Sequence, residues 1–296
     1  MYSPVVTRDP TAVEVEVQAA YLAMFPRANK SFVPQIFAWV IDCFTGRYAD
    51  YQPIDAEYHD FEHTLQGALC MARILQGRHR ANVQPVLTQR MFELGITAIL
   101  LHDTGYLKKR GDVIGTGAKY TVVHVRRSAE FAAELLPQKG YQPAEILAIQ
   151  NMILCTGLNA ALDKIPFQSE EEKIVGFALG AADLLGQMAA DDYVAKLPVL
   201  YAEFAEAAHY DVAKSNSVGM FSSAADLMQK TPIFWEKYVR AKLDGDFIGL
   251  HHFLSDPYPS GCNYYLDRIE FNIACLRRKL AEQTGVAGQP PSGIMK

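Results

Sequence analysis

Three observations predict an all-α fold for this chain of 296 residues. Nearly every patterned segment repeats its apolar residues at helical spacing. The segments are punctuated by capping residues, glycines and prolines. A strand competes at one point, the β-branched alternation Val-Glu-Val-Glu-Val over 13–17.

The elements follow in order. Residues 11–25 read as a helix capped by Thr11, and 31–46 as a second helix closed by Gly46. Residues 59–77 form a long amphipathic helix that Gly77 ends. Residues 88–106 are more apolar and belong at the centre of the core. The stretch 108–120 holds three glycines and several charges, so it reads as a loop placed to act as a lid. Helical period returns over 121–137, stopped by Pro137, and over 143–157, with Pro143 in the first turn and Gly157 at the end. Residues 169–188 have Ser169 as cap and acidic residues in the first turn, where the helix dipole favours them. Helices over 191–210, 224–245 and 263–283 complete the set, with Pro198 beginning or kinking its helix.

Half of the residues are hydrophobic, enough for one large core or two closely packed helical units. A net charge of -5 argues against a dedicated nucleic-acid binder. Basic residues do cluster in Leu-Lys-Lys-Arg (107–110) and His-Val-Arg-Arg (124–127), which suits a small anionic substrate. Five scattered cysteines without a paired motif read as reduced thiols. No signal-like segment opens the chain and no apolar run is long enough to span a bilayer, so a soluble cytoplasmic protein is expected.

The chemistry lies in a dispersed set of residues: His59, His63, His102, Asp103 and Asp183. His59 and His63 are spaced to share one helix face. His102 and Asp103 close an apolar helix, and Asp183 sits inside the apolar run 177–188. A lone buried carboxylate costs roughly several kcal/mol unless it is protonated or bound to a cation. Imidazole with carboxylate suits Zn, Mn or Fe, whereas carboxylate and water alone would suit Mg.

The ordered set His63, His102–Asp103, Asp183 resembles the ligand pattern of the HD-domain superfamily of metal-dependent phosphohydrolases, which includes the cyclic-nucleotide phosphodiesterases. The resemblance covers about residues 55–190 and extends less securely to 240. Tyr58-His59-Asp60-Phe61-Glu62-His63 is similar to a phosphodiesterase element in which the first His is the proton donor and the second binds metal. The resemblance therefore implies His59 as general acid and His63, His102, Asp103 and Asp183 as ligands, with Asp103 also catalytic. It implies His124 at a second metal, a Mg or Mn, with Cys155 and Thr156 standing where dinuclear members carry another His. Lys108, Lys109, Arg126 and Arg127 are the candidate phosphate contacts. Tyr106 occupies the place where many members carry Lys.

The implied architecture is a helical bundle of this family with N-terminal and C-terminal additions. It divides into a helical cap (1–50), the phosphohydrolase core (51–215), C-terminal helices packed on it (216–283) and a frayed tail (284–296). The implied activity is hydrolysis of a phosphomonoester or phosphodiester of a nucleotide-like small molecule, with no nucleic-acid or membrane partner. The aromatic C-terminal segments are compatible with a homodimer. Two other readings stand beside it: a diiron oxygenase on the same fold, and a ligand sensor without catalysis. His251–His252 reads as structural or exposed.

Overall fold

A computed structural model describes residues 5–157, 160–210 and 221–283. Among these the fold is all-α, apart from a ribbon of two-residue strands, Ser255–Asp256 and Cys262–Asn263, paired antiparallel.

Helix α1 (Pro10–Met24) is capped two residues earlier than expected. The Asp9 carboxylate accepts from the Thr11 amide, and Pro10 occupies the first turn, where its missing N–H costs nothing. Burial decides the strand competition at 13–17: Val13 and Val17 are fully buried on one helical face, whereas Val15 is exposed. Helix α2 (Phe32–Phe44) follows. Helix α3 (Phe61–Arg80) begins later than expected, at the cap Asp60, and runs through Gly77. Gly77 is therefore no terminator. A Cβ there would lie 1.9 Å from the Phe253 carbonyl oxygen, so glycine serves close packing.

Helix α4 (Gln89–Leu101) is capped by Thr88. Helix α5 (His124–Leu135) continues into a 3-10 turn (Leu136–Lys139) that contains Pro137. Helix α6 (Pro143–Ile153) starts with Pro143 as expected but stops short of Gly157. Helix α7 (Glu170–Met188) has the expected cap, Ser169 accepting from the Glu172 amide, with three glutamates in its first turn. Helix α8 (Tyr193–Tyr210) passes through Pro198. The C-terminal segment comprises α9 (Ala224–Ile233), a π turn (Phe234–Val239), α10 (Arg240–Asp244), a 3-10 helix (Leu250–Leu254) and α11 (Tyr264–Gln283).

Helices α3 and α7 pack against each other at the centre. Gly186 permits their close crossing, since a Cβ there would meet the backbone of Gln66 at 2.8 Å. Around this pair one hydrophobic core runs from Val13 and Tyr21 through Leu69 and Leu179 to Trp235 and Leu276. The N-terminal cap is thus part of the core: Tyr21 stacks on Phe92, ring centroids 5.4 Å apart. The C-terminal helices join it too, with Asn272 Nδ2 donating to the Met188 and Ala190 carbonyls at 2.9 and 2.8 Å. The expected boundary at 215/216 and the expected tail at 284–296 lie outside the described residues. Among the described residues, no single helix is long and apolar enough to cross a membrane.

Candidate metal centre

Three elements deliver the side chains. Asp60 caps α3, its Oδ1 accepting from the His63 amide at 2.8 Å, which fixes His63 in the first turn. His59 therefore precedes the helix, and the two histidines are not neighbours on one helical face as expected. His102 is the C-cap of α4, and Asp103 follows it into a 3-10 turn (Thr104–Tyr106). Asp183 projects from the middle of α7.

Their ligand atoms converge. His63 Nε2 lies 3.2 Å from Asp103 Oδ2 and 3.1 Å from Asp183 Oδ1. His102 Nε2 lies 3.3 Å from Asp103 Oδ2 and 3.5 Å from Asp183 Oδ1. Ion pairs that bond directly close to about 2.7–2.9 Å. Donors held about 2.1 Å from one ion stand about 3.0 Å apart at octahedral angles and about 3.4 Å apart at tetrahedral ones. The spacing is that of ligands around a cation. His102 Nε2 and Asp103 Oδ2 are also buried without a hydrogen-bond partner, which is costly in the absence of an ion. The buried group His63, His102 and Asp103 could hold a metal ion, and Asp183 Oδ1 approaches both of its imidazoles.

His102 Nδ1 donates to the Ile99 carbonyl at 2.7 Å, which leaves its Nε2 lone pair facing the centre. With side chains 4%, 1% and 2% exposed, His63, His102 and Asp103 interact at low dielectric. Burial pulls the His63 pKa down, but the carboxylates of Asp103 and Asp183 outweigh it and hold it at about 10. His102 is raised too, burial again opposing. Burial pushes Asp103 and Asp183 up, yet the two imidazoles keep both well below the usual carboxylate range. A cation entering the site competes with protons for these nitrogens and carboxylates.

A second layer was not legible in the sequence. Glu203, on α8, accepts from the Tyr58 amide at 2.8 Å and lies 2.5 Å from His59 Nδ1. Burial would raise its carboxyl, but His59 holds it below its ordinary value. Tyr106 packs nearly parallel against both His59 and His124, with centroids 4.5 and 4.6 Å away, and the two imidazoles lie 6.0 Å from each other. Gln187 links Tyr58 to the centre: it accepts from Tyr58 OH at 2.8 Å and donates to the Asp183 carbonyl at 3.0 Å. A small hollow lined by Tyr58, His63, Gln66, Gln187, Tyr193 and Lys196 abuts the site.

His124 donates from Nδ1 to the Thr121 carbonyl at 2.6 Å, and its Nε2 faces the other Asp103 oxygen, Oδ1, at 3.8 Å. Burial lowers its pKa in spite of Asp103. Cys155 and Thr156 do not join it through the bonds they make. The Cys155 thiol bonds to the Asn151 carbonyl and packs where Gly176 has no Cβ; Thr156 donates to the Ile153 carbonyl at 2.8 Å. Burial pushes the Cys155 thiol far up, so it stays protonated.

Of the expected phosphate contacts, Lys108 and Arg127 are held by groups of the chain, while Lys109 and Arg126 are mostly exposed. Lys108 is buried between Asp55 and the Gly115 carbonyl, both at 2.7 Å. Arg127 donates to the Gly105 and Leu107 carbonyls at 2.7 and 2.9 Å and covers the Tyr120 ring. Lys109 approaches Glu134 at 3.8 Å and Arg126 approaches Glu130 at 3.7 Å. The loop 108–120 is tied down as a wall: Thr116 Oγ1 bonds Glu206 at 2.7 Å and the Gly117 amide bonds Asp55 at 2.7 Å.

A protein-family model described as Npun_R2479-like matches residues 110–250. That stretch is just under half of the chain and includes Asp183, His124 and Glu203, but not His59, His63, His102 or Asp103. No curated protein matches the chain.

Proposed function

We propose that the protein is a metal-dependent phosphohydrolase that cleaves a phosphomonoester or phosphodiester of a nucleotide-like small molecule. One observation carries this reading. A buried donor set spaced for an ion lies beside a histidine, His59, that is held by a carboxylate and touches no ion-facing atom of the set. The HD-domain resemblance of the sequence supports the same assignment.

A divalent cation (Zn, Mn or Fe) held by His63, His102, Asp103 and Asp183 would supply Lewis acidity and a more acidic water. The remaining work belongs to the chain. Glu203 holds His59 Nδ1, so the proton available for transfer is the one on Nε2. His59 gives that proton to the leaving oxygen as general acid. Tyr106 keeps the imidazole plane fixed during the transfer. Asp103 turns Oδ2 toward the first donor set and Oδ1 toward His124, so Asp103 and His124 would be the residues to hold a second ion such as Mg or Mn.

The test is a phosphoester screen on protein loaded with Zn, Mn or Fe, paired with metal analysis. His59→Ala should lower turnover by roughly 10²–10⁴ with metal content unchanged. Undiminished turnover in that variant would remove the acid role. Two irons per chain without ester hydrolysis would favour the oxygenase reading. Full metal occupancy with no turnover of any ester would favour a sensor.

A further inference from the structure

A second convergence of imidazole and carboxylate lies in the C-terminal segment, at Asp244, His251 and His252. Asp244 is the last residue of α10, and the chain turns back at once. The Phe247 and Gly249 amides donate to the Lys242 and Leu243 carbonyls, both at 2.9 Å. Two consecutive residues, Ile248 and Gly249, take positive φ (47° and 70°) to complete the turn. This is costly for β-branched Ile248 and free for Gly249.

The turn brings both imidazoles over one carboxylate oxygen. Asp244 Oδ1 lies 3.6 Å from His251 Nε2 and 3.4 Å from His252 Nε2. The three donor atoms all lie within 4.8 Å of one another. Good N–H···O bonds are about 2.7–3.2 Å, so neither contact is one. Both distances match the spacing of about 3.4 Å between two ligands of a tetrahedral zinc ion.

The frame around these atoms is rigid. His251 is 5% exposed, and its backbone carbonyl accepts from Asn263 Nδ2 at 2.9 Å. Two residues on, Phe253 presses its carbonyl against Gly77 of α3. Two cationic side chains of α10 pair with other carboxylates: Lys242 with Asp246 at 2.9 Å and Arg240 with Glu270 at 3.4 Å. On the solvent side, His252 and Asp244 are 61% and 64% exposed, which leaves an approach for the ion and room for water to complete its shell.

We infer that Asp244, His251 and His252 form a second, surface-accessible binding site for a borderline-soft dication of the zinc type, separate from the buried centre. Two imidazoles and one carboxylate favour zinc, nickel or copper over magnesium or calcium. The two sites lie toward opposite ends of α3, where His63 and Gly77 are about 20 Å apart at 1.5 Å per residue. Binding here pins α10 to the 3-10 helix and, through Phe253, to the end of α3. The inference goes beyond the hydrolase reading and stands whether or not that reading holds.

The test compares chelator-stripped wild-type chain with Asp244→Ala/His252→Ala, titrated with zinc alone against a chromophoric competitor. Both substituted side chains are mostly exposed, so the variant should keep the wild-type circular dichroism and melting curve in chelator. The expected result is one zinc equivalent fewer in the double variant, confirmed by native mass spectrometry, with the remaining equivalents unchanged. His251→Gln, which keeps the buried volume nearly filled, should lose the same equivalent. Equal stoichiometry and affinity in wild type and both variants would overturn the inference.

Discussion

Glu203 governs His59 through two kinds of bond: its carboxylate faces the ring nitrogen and also accepts from the Tyr58 amide at the base of the same segment. Glu203→Gln should keep the shape and lose the charge. Under the hydrolase reading we expect turnover to fall roughly 10–100-fold with KM and metal content little changed, and the alkaline limb of the rate profile to move to lower pH, because the acid must stay protonated. A variant with wild-type turnover would make Glu203 a purely structural cap of that loop. Asp103→Asn should empty the buried centre, because it removes an oxygen that faces both His63 and His102. Elemental analysis after dialysis checks this, and full occupancy would contradict the ligand role. His63, the His102–Asp103 pair and Asp183 stood out in the sequence because each is expensive in apolar surroundings unless it binds something. Glu203 did not, because a glutamate among Ala and Glu on an amphipathic helix looks like any solvated one. Its partner is 144 residues away in the chain, and only packing brings the two together.

At the scale of elements, the site depends on how closely α3 and α7 approach. Gly186→Ala would put a methyl group against the Gln66 backbone and force the two helices apart. We expect a loss of about 1–3 kcal/mol in denaturant unfolding, the usual range for overpacking. Zinc affinity should weaken in parallel, since His63 and Asp183 ride on the separated helices. Helix α6 offers a pH test. Arg90 lowers the Glu145 pKa against the pull of burial, and Glu145 also accepts from the Gln142 amide. A depressed carboxyl stabilises the fold above its unfolded pKa, and that contribution is lost as pH falls through the lower folded value. Wild type should therefore lose about 0.2–1 kcal/mol more than Glu145→Gln between pH 6 and pH 3, as read by urea melts. Helix positions were readable from caps and period, and Ser169 and Pro143 stand where expected. Gly77 misled because a glycine that ends a helix and one that admits a neighbour's backbone are the same letter. His59 misled because the Asp60 cap, one residue on, decides where the helix begins.

For the molecule as a whole, one continuous core joins the segments expected as cap, centre and C-terminal helices. We expect a single cooperative unfolding transition by both fluorescence and circular dichroism. Zinc or manganese at about a hundredfold excess over its dissociation constant should add about 2.7 kcal/mol and raise Tm. An unchanged melting curve at saturating metal would speak against a cation bound only by the folded chain. Composition could indicate how much apolar surface there was to bury, but not whether it would be buried in one place. That outcome is set by long-range pairings such as Tyr21 on Phe92 and Asn272 on the end of α7.

The donors of the buried centre are drawn from position 63 through position 183, and the carboxylate behind His59 comes later still, at 203. During synthesis the first histidine leaves the ribosome long before the last aspartate exists. An ion can be gripped only after the central helix pair has closed, so capture of the metal reports that the chain has reached its finished topology. Species arrested earlier have loose imidazoles and carboxylates but no pocket, and they should lose added metal to a chelator faster than the mature molecule does.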